Sequence, residues 1–306
     1  MKVKKTMLIE LAVADAYAAA YEFTSPDYIE QNHDMSTYRV HPRYGENGEV
    51  RTEAGQYTDD TQMSIAIAEL VLQDGIWNQF HTLNRILKVF KRDPRKGYSK
   101  RMQNILEHCE NADQLMRVIC PMAQSNGSVI RSVPLAFLSK DKIEAAAYAQ
   151  ASATHASRNG VMCSAYTAFI GYELLHGGDI DDAVRFACGE LNYPKMIPGV
   201  NQPVPCSAIL TLRAAYRLLK NHNNLYDILD NAVKLGGDTD SVAAVAVGLA
   251  SLSPRYDSNL PQELYDGLEQ WNGNIEDIDF DLTDTSSNKY GMDFLKELDK
   301  KLYETT

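Results

Sequence analysis

Gly236-Gly237-Asp238-Thr239-Asp240-Ser241 leads straight into Val242, Val245, Leu249 and Leu252, apolar residues at helical spacing. Gly236-Gly237 closes a preceding helix, as glycine does when the chain must turn left-handed. An earlier stretch, Tyr57-Thr58-Asp59-Asp60-Thr61-Gln62-Met63, leads in the same way into Ile67, Leu70 and Val71. Working outward, helical patterns recur over 6–23, 58–74, 79–91, 99–118, 141–153, 159–176, 179–191, 206–221, 224–235, 262–271 and 291–303. No alternating strand pattern, internal repeat or heptad run competes with them. The expected fold class is therefore all-α, a single compact multi-helix domain spanning 1–306.

Both acidic stretches lie where a loop becomes a helix. One reading is N-capping, because Asp and Thr accept the free N–H groups there and suit the positive helix end. Capping explains one acid and leaves three clustered oxygen groups unexplained. Asp59 and Asp60 are adjacent like charges, Asp238 and Asp240 nearly so, and neither cluster contains Lys or Arg. Packed acids repel unless a positive group neutralises them. If the two stretches meet in space, they can share a pair of divalent cations. Carboxylates with the hydroxyls of Thr58, Thr239 and Ser241 form an oxygen-only donor set, which suits Mg²⁺, Mn²⁺ or Ca²⁺ rather than zinc. A two-metal site can orient a substrate oxygen, generate a nucleophile from water and steady a leaving group.

These residues also carry a resemblance. Tyr-Thr-Asp-Asp-Thr-Gln-Met and Gly-Gly-Asp-Thr-Asp-Ser are similar to the two signatures of the ADP-ribosylglycohydrolase family, which includes the dinitrogenase-reductase-activating glycohydrolase and the ADP-ribosylarginine hydrolases. The resemblance covers about 8–271. It implies an all-α fold with a central dinuclear metal site holding two Mg²⁺ or Mn²⁺. The implied ligands are Thr58, Asp59, Asp60, Asp238, Asp240 and Ser241, with Thr239 orienting the loop between ligands. In the first helix the family's Gly-Asp-Ala-x-Gly followed by Glu is matched at Asp15-Ala16 and Glu22-Phe23, while Ala14 and Ala18 replace the glycines. Glu22 would then lie at the active site and Asp15 would support the metal cluster from behind. Ser125-Asn126-Gly127-Ser128, followed by Arg131 and Pro134-Leu135, resembles the family's Gly-Asn-Gly loop, with Ser125 in place of the first Gly. That implies substrate contacts from Asn126, Gly127 and Ser128. Thr154-His155 resembles the family's Thr-His, so His155 would touch the nucleotide; a histidine bonded within a helix joint is the competing reading.

The remaining features are less specific. Residues 24–57 read as a long irregular loop, a lid or substrate-facing segment. His33 and His41 within it match no metal spacing and read as surface residues. Asp93-Pro94-Arg95-Lys96-Gly97 reads as a solvated turn, with phosphate contact as the competing reading. Proline-rich 192–205 and Asp-rich 273–288 read as loops. The chain has 306 residues, a hydrophobic fraction of 44% and a formal net charge of −11, which argues against broad binding to nucleic acid or anionic membrane. Five cysteines form no CxxC pair, which suits free, mostly buried thiols in a cytoplasmic protein. Glu10 and Asp15 interrupt the first apolar run, so no signal peptide is expected, and no stretch is apolar enough to span a membrane.

The expected activity is metal-dependent hydrolysis of the glycosidic bond in an ADP-ribosylated substrate, foremost ADP-ribosyl-arginine on protein. Asp60 or Glu22 would take the proton of the attacking water. Competing classes are a two-metal hydrolase of another nucleotide or of an ADP-ribose-containing small molecule, a non-catalytic ADP-ribose-binding protein, and a structural protein that keeps the fold without its acids. Oligomeric state is left open.

Overall fold

The computed structural model describes residues 5–43, 52–73, 75–192, 200, 203–268 and 291–306. The chain runs α1 Met7–Ala18, α2 Pro26–Asn32, α3 Asp59–Leu72, α4 Gln79–Arg92, α5 Lys100–His108, α6 Ala112–Val118, α7 Gly127–Ile130 and α8 Lys140–Ser152. It continues α9 Arg158–Leu175, α10 Ile180–Glu190, α11 Ala208–Asn221, α12 Leu225–Leu235, α13 Thr239–Ser251, α14 Gln262–Gly267 and α15 Met292–Glu304. Extended pairing among the described residues is limited to isolated bridges such as Val204 with Gly237. The all-α, single-domain expectation therefore holds.

Two helices form the axis of the domain. Every residue of α1 and of α13 is buried, so these two are enclosed on all sides rather than amphipathic. They pack directly on each other, and a Cβ on Gly248 would stand 3.0 Å from Leu11. Each fully buried Leu or Val of this pair contributes about 1.5–3 kcal/mol. The outer helices α4, α5, α11, α12 and α15 keep one polar face; α11 and α12 pack on α13, α15 packs on α1, and α4 packs on α3.

Charged residues within the axis have named partners. Glu10 accepts hydrogen bonds from Ser258 and Tyr265. Asp299 of α15 accepts from the backbone N–H groups of Leu8 at 2.9 Å and Ile9 at 3.1 Å. Thr6 makes no side-chain cap at this end, so α15 supplies the cap for α1 from the other end of the chain.

Several boundaries differ from the sequence reading. Residues 26–32 are helical rather than irregular, because Ser25 accepts from Tyr28 N and Pro26 takes the first helical position. The pattern over 99–118 breaks into α5 and α6, because Asn111 turns its side chain onto Gln114 N and starts a new helix. His33 and His41 are not surface residues. His33 bridges Tyr17 (2.9 Å) and Asp230 (2.8 Å), since α2 folds back over α1 and α12. His41 is buried and donates from Nε2 to the carbonyl of Glu22 at 2.8 Å, with Arg43 N donating to its Nδ1. All five cysteines are free, but Cys120 and Cys206 are exposed, so only Cys109 and Cys163 fit the buried reading fully. Most of 192–205 and all of 273–288 lie outside the described residues.

Candidate active site

α1 and α13 bring their acids to one place because α13 begins beside the end of α1. Thr239 Oγ1 donates to the carbonyl of Ala18 (2.8 Å), and Phe23 N donates to the carbonyl of Gly237 (2.7 Å). Phe23 is held at φ 49°, a conformation that side chains other than glycine adopt at a cost. That turn presents Glu22. Gly237, at φ 82°, lies so close to Val204 that a Cβ would stand 2.1 Å from the Val204 carbonyl oxygen. Asp238 N donates to the same carbonyl (2.7 Å).

α3 arrives from the other side and is anchored on Asp15. Thr58 N and Oγ1 donate to its two carboxylate oxygens (2.9 and 2.8 Å), and Thr61 N and Oγ1 donate to Oδ2 (3.1 and 2.6 Å). Asp15 is buried with both oxygens engaged. Burial pushes its carboxyl above the ordinary range while these four bonds oppose that rise. Thr58, not an Asp, caps α3 by accepting from Asp60 N. Asp238 heads α13 without any side-chain cap. Capping therefore does not account for Asp59, Asp60, Asp238 or Asp240.

The acids converge in two overlapping groups. Oxygens of Asp15, Asp60 and Asp240 lie within 4.8 Å of one another, and so do oxygens of Glu22, Asp238 and Asp240. Asp240 belongs to both. Ser241 Oγ donates to Asp60 Oδ2 (2.9 Å), which joins the two stretches directly. Asp59 lies outside both groups, at the edge facing the 93–97 segment. Asp59 N donates to the Lys96 carbonyl (3.0 Å), and a Cβ on Gly97 would stand 2.1 Å from Asp59 Oδ1.

Burial first, and the neighbouring carboxylates second, raise Asp59, Asp60 and Asp240 well above the ordinary carboxylate range. A divalent cation would relieve both penalties. The donor set is all oxygen, with carboxylates from three helices or their flanks and hydroxyls from Thr58 and Ser241. It fits a hard cation, and these clustered acids could hold one.

A cleft of about 950 Å³ opens over this centre. Glu22, Asp59, Asp60, Asp238, Asp240 and Ser241 line it, as do Asn126, Gly127 and His155. Thr58 lies just behind the lining. Asn126 sends its amide N–H groups to Asp238 (2.9 Å) and Thr211 (3.0 Å), so its side chain braces an acid rather than reaching outward. Ser128 is buried, donates to the Gly160 carbonyl (3.2 Å) and is absent from the lining. His155 is buried between Thr154 Oγ1 (2.6 Å) and Ser125 Oγ (2.9 Å), as the helix-joint reading expects, and it also lines the cleft.

One segment was misread in the sequence, and one set of cations was missed. The 93–97 segment is not a solvated turn: Asp93 and Arg95 are buried, and Arg95 stacks over the Tyr57 ring at 4.1 Å. The aromatic residue opening the first motif was its signal. Arg43, Lys96, Lys100 and Arg101 line the same cleft, and no compositional count of an acidic chain reveals cations gathered at one cleft. Cys206, exposed at its edge, also lines the cleft, where partial desolvation and neighbouring carboxylates push its thiol up and away from thiolate chemistry.

Known proteins share this architecture. The ADP-ribosylarginine hydrolase Tri1 of Pseudomonas putida (strain GB-1) is 27% identical over 319 residues, covering 98% of this chain and 81% of the relative. The ADP-ribosylhydrolase ARH3 of Homo sapiens is 23% identical over 270 residues, covering 69% of this chain and 74% of the relative. A solved structure, an ADP-ribosylglycohydrolase-related protein complex, matches with a TM-score of 0.69 at 20% identity over 98% of this chain and 96% of that one, which shows the shared fold. A family model described as ADP-ribosylglycohydrolase matches residues 5–291. Because that match takes in both acidic stretches and the loop at 125–128, the chain belongs to the ADP-ribosylglycohydrolase family.

Proposed function

We propose that this family member hydrolyses the N-glycosidic bond between ADP-ribose and an arginine side chain of a modified protein, releasing ADP-ribose. The observation that carries the reading is Asp240, shared between two converging acid groups. A carboxylate so placed would help to hold two Mg²⁺ or Mn²⁺ ions. Asp60, Asp238, Asp240, Ser241 and Thr58 would hold the pair, with Asp59 reached at its edge. Bound there, such ions supply charge to hold ribose hydroxyls and to lower the pKa of a water.

The protein's own groups do the rest. Glycosidic cleavage places positive charge on the ribose in an oxocarbenium-like transition state, and the surrounding carboxylates stabilise it. Asp60 is buried and accepts the Ser241 hydroxyl, whereas Glu22 is half-buried at the cleft. Glu22 is therefore the carboxylate placed to take the proton of the attacking water. The cleft is lined by both the cations Arg43, Lys96, Lys100 and Arg101 and the central acids. That pairing of charges suits a substrate with a diphosphate and a cationic guanidinium leaving group. The arginine assignment draws on the names of the Tri1 relatives. A cytoplasmic location is proposed on the five free thiols.

The test is release of ADP-ribose from proteins modified on arginine and on serine, with Mg²⁺, Mn²⁺ or a chelator. Metal-dependent release from the arginine-linked protein, lost in Asp240→Ala, is expected. Release from serine alone would overturn the arginine assignment. Phosphate release from simple nucleotides without any ADP-ribose release would overturn the glycosidic reading.

A further inference from the structure

Tyr21, Glu22, Phe23 and Thr24 form a turn closed by Thr24 N–H donating to the Tyr21 carbonyl (3.1 Å). Glu22 at φ −56° and ψ 121°, followed by Phe23 at φ 49°, makes it a type II turn. That type needs a positive φ at its third residue, a place for glycine or asparagine, whereas a type I turn needs none. The two types differ by a rotation of the peptide between the second and third residues, here the Glu22–Phe23 peptide. Packing of the Phe23 ring does not enforce the disfavoured form, because that residue is 45% exposed.

Two hydrogen bonds hold the turn, one at each end of that same peptide. Phe23 N–H donates to the Gly237 carbonyl (2.7 Å), and the Glu22 carbonyl accepts from His41 Nε2 (2.8 Å). Both backbone groups on the His41 ring have a fixed role. A carbonyl only accepts, so Nε2 carries the proton; Arg43 N–H donates to Nδ1 (3.1 Å), so Nδ1 carries none. With the peptide rotated, the Glu22 carbonyl would face the Gly237 carbonyl, two acceptors with no proton between them. The tie to the Gly237 loop would then be lost. Glu22 depends on that tie, because its carboxylate lies within 4.8 Å of oxygens of Asp238 and Asp240, and like charges so close repel.

We propose that His41 is a positioning residue: its Nε2–H locks the Glu22–Phe23 peptide in the strained orientation whose N–H ties Glu22 beside Asp238 and Asp240. His41 is buried and absent from the cleft lining, so it acts through Glu22 and not on the substrate. The proposal rests on the reading of Glu22 as the general base.

A double-mutant cycle between His41 and Phe23 tests it. The readouts are kcat for ADP-ribose release from arginine-modified protein in saturating Mg²⁺, and amide hydrogen exchange at residue 23. His41→Leu should lower kcat about tenfold, the bias against positive φ outside glycine, and should open the residue 23 amide to exchange. In a Phe23→Gly background the same change should lower kcat less than about twofold and leave that amide protected, because glycine takes positive φ freely. The comparison holds whatever Phe23→Gly does to kcat by itself. His41→Gln, which keeps an N–H donor, should restore most of the His41→Leu loss. A merely structural His41 would give the same loss in both backgrounds; that result, or no loss in His41→Leu, would overturn the proposal. If His41→Leu does not fold, Phe23→Gly alone decides: protection at residue 23 should rise, and a fall would overturn the strained turn. Wild-type kcat in Glu22→Gln would overturn Glu22 as the base and with it the kinetic role of His41, while exchange at residue 23 decides the turn by itself.

Discussion

Glu22 and Asp60 differ in surroundings, and that difference separates two roles. Asp60 is buried with Ser241 donating to it, so Asp60→Asn should abolish divalent binding and activity together. Glu22 stands at the half-buried edge, so Glu22→Gln should lower kcat by about 10²–10⁴-fold, the usual contribution of a general base. Its divalent affinity, read by titration, should fall far less. Equal loss of both in Glu22→Gln would make Glu22 a ligand. At Gly97, φ is 112° and a Cβ would meet Asp59 Oδ1 at 2.1 Å. Gly97→Ala should therefore cost about 2 kcal/mol from the backbone alone, visible as a lower denaturation midpoint, and should weaken divalent binding by displacing Asp59.

At the scale of elements, the site depends on where α1 begins as much as on where it ends. Asp299 caps Leu8 and Ile9 from α15, and burial raises its carboxyl well above the ordinary range. Asp299→Ala leaves two buried N–H groups without partners and should cost about 2–4 kcal/mol in chemical denaturation, with kcat nearly unchanged under folding conditions. This cap was illegible in the sequence, where α15 read as one more charged amphipathic helix. The bond joins residues at opposite ends of the chain, and no local pattern encodes such a pairing. The long apolar helices were legible because their period of burial is continuous, as in α9 and α13. The break at Asn111 and the short α2 were not, because one capping side chain outweighs several residues of periodicity. His33 and His41 were misplaced for a related reason: His33 is held by Tyr17 and Asp230 and His41 by the Glu22 carbonyl, partners distant in the sequence.

At the scale of the whole molecule, the net charge of −11 describes a surface average, and the site is where that average fails. Asp59, Asp60 and Asp240 bind protons more tightly folded than unfolded. Their contribution to metal-free stability is full below about pH 3.8, the ordinary value, and is lost as pH rises through their raised folded values. Divalent ions bound there would replace those protons. Mg²⁺ should therefore stabilise the fold more at pH 8 than at pH 5, read as a larger Tm gain, with about 2.7 kcal/mol per bound ion at a hundredfold excess over its Kd. A Tm gain independent of pH would contradict the proton–metal exchange. The acid set was legible because like charges packed without Lys or Arg demand neutralisation. The support from Asp15 was expected from the resemblance, whereas the sharing of Asp240 and the cations lining the cleft needed the packed helices.

The most direct measurement of the central claim is the stoichiometry of divalent binding. Purified protein, stripped by chelator, would be titrated with Mg²⁺ and Mn²⁺ by calorimetry, beside Asp240→Asn. Two ions per chain, both lost or greatly weakened in Asp240→Asn together with ADP-ribose release, is the expected result. Binding of no divalent ion, or two ions bound equally well by Asp240→Asn, would contradict it.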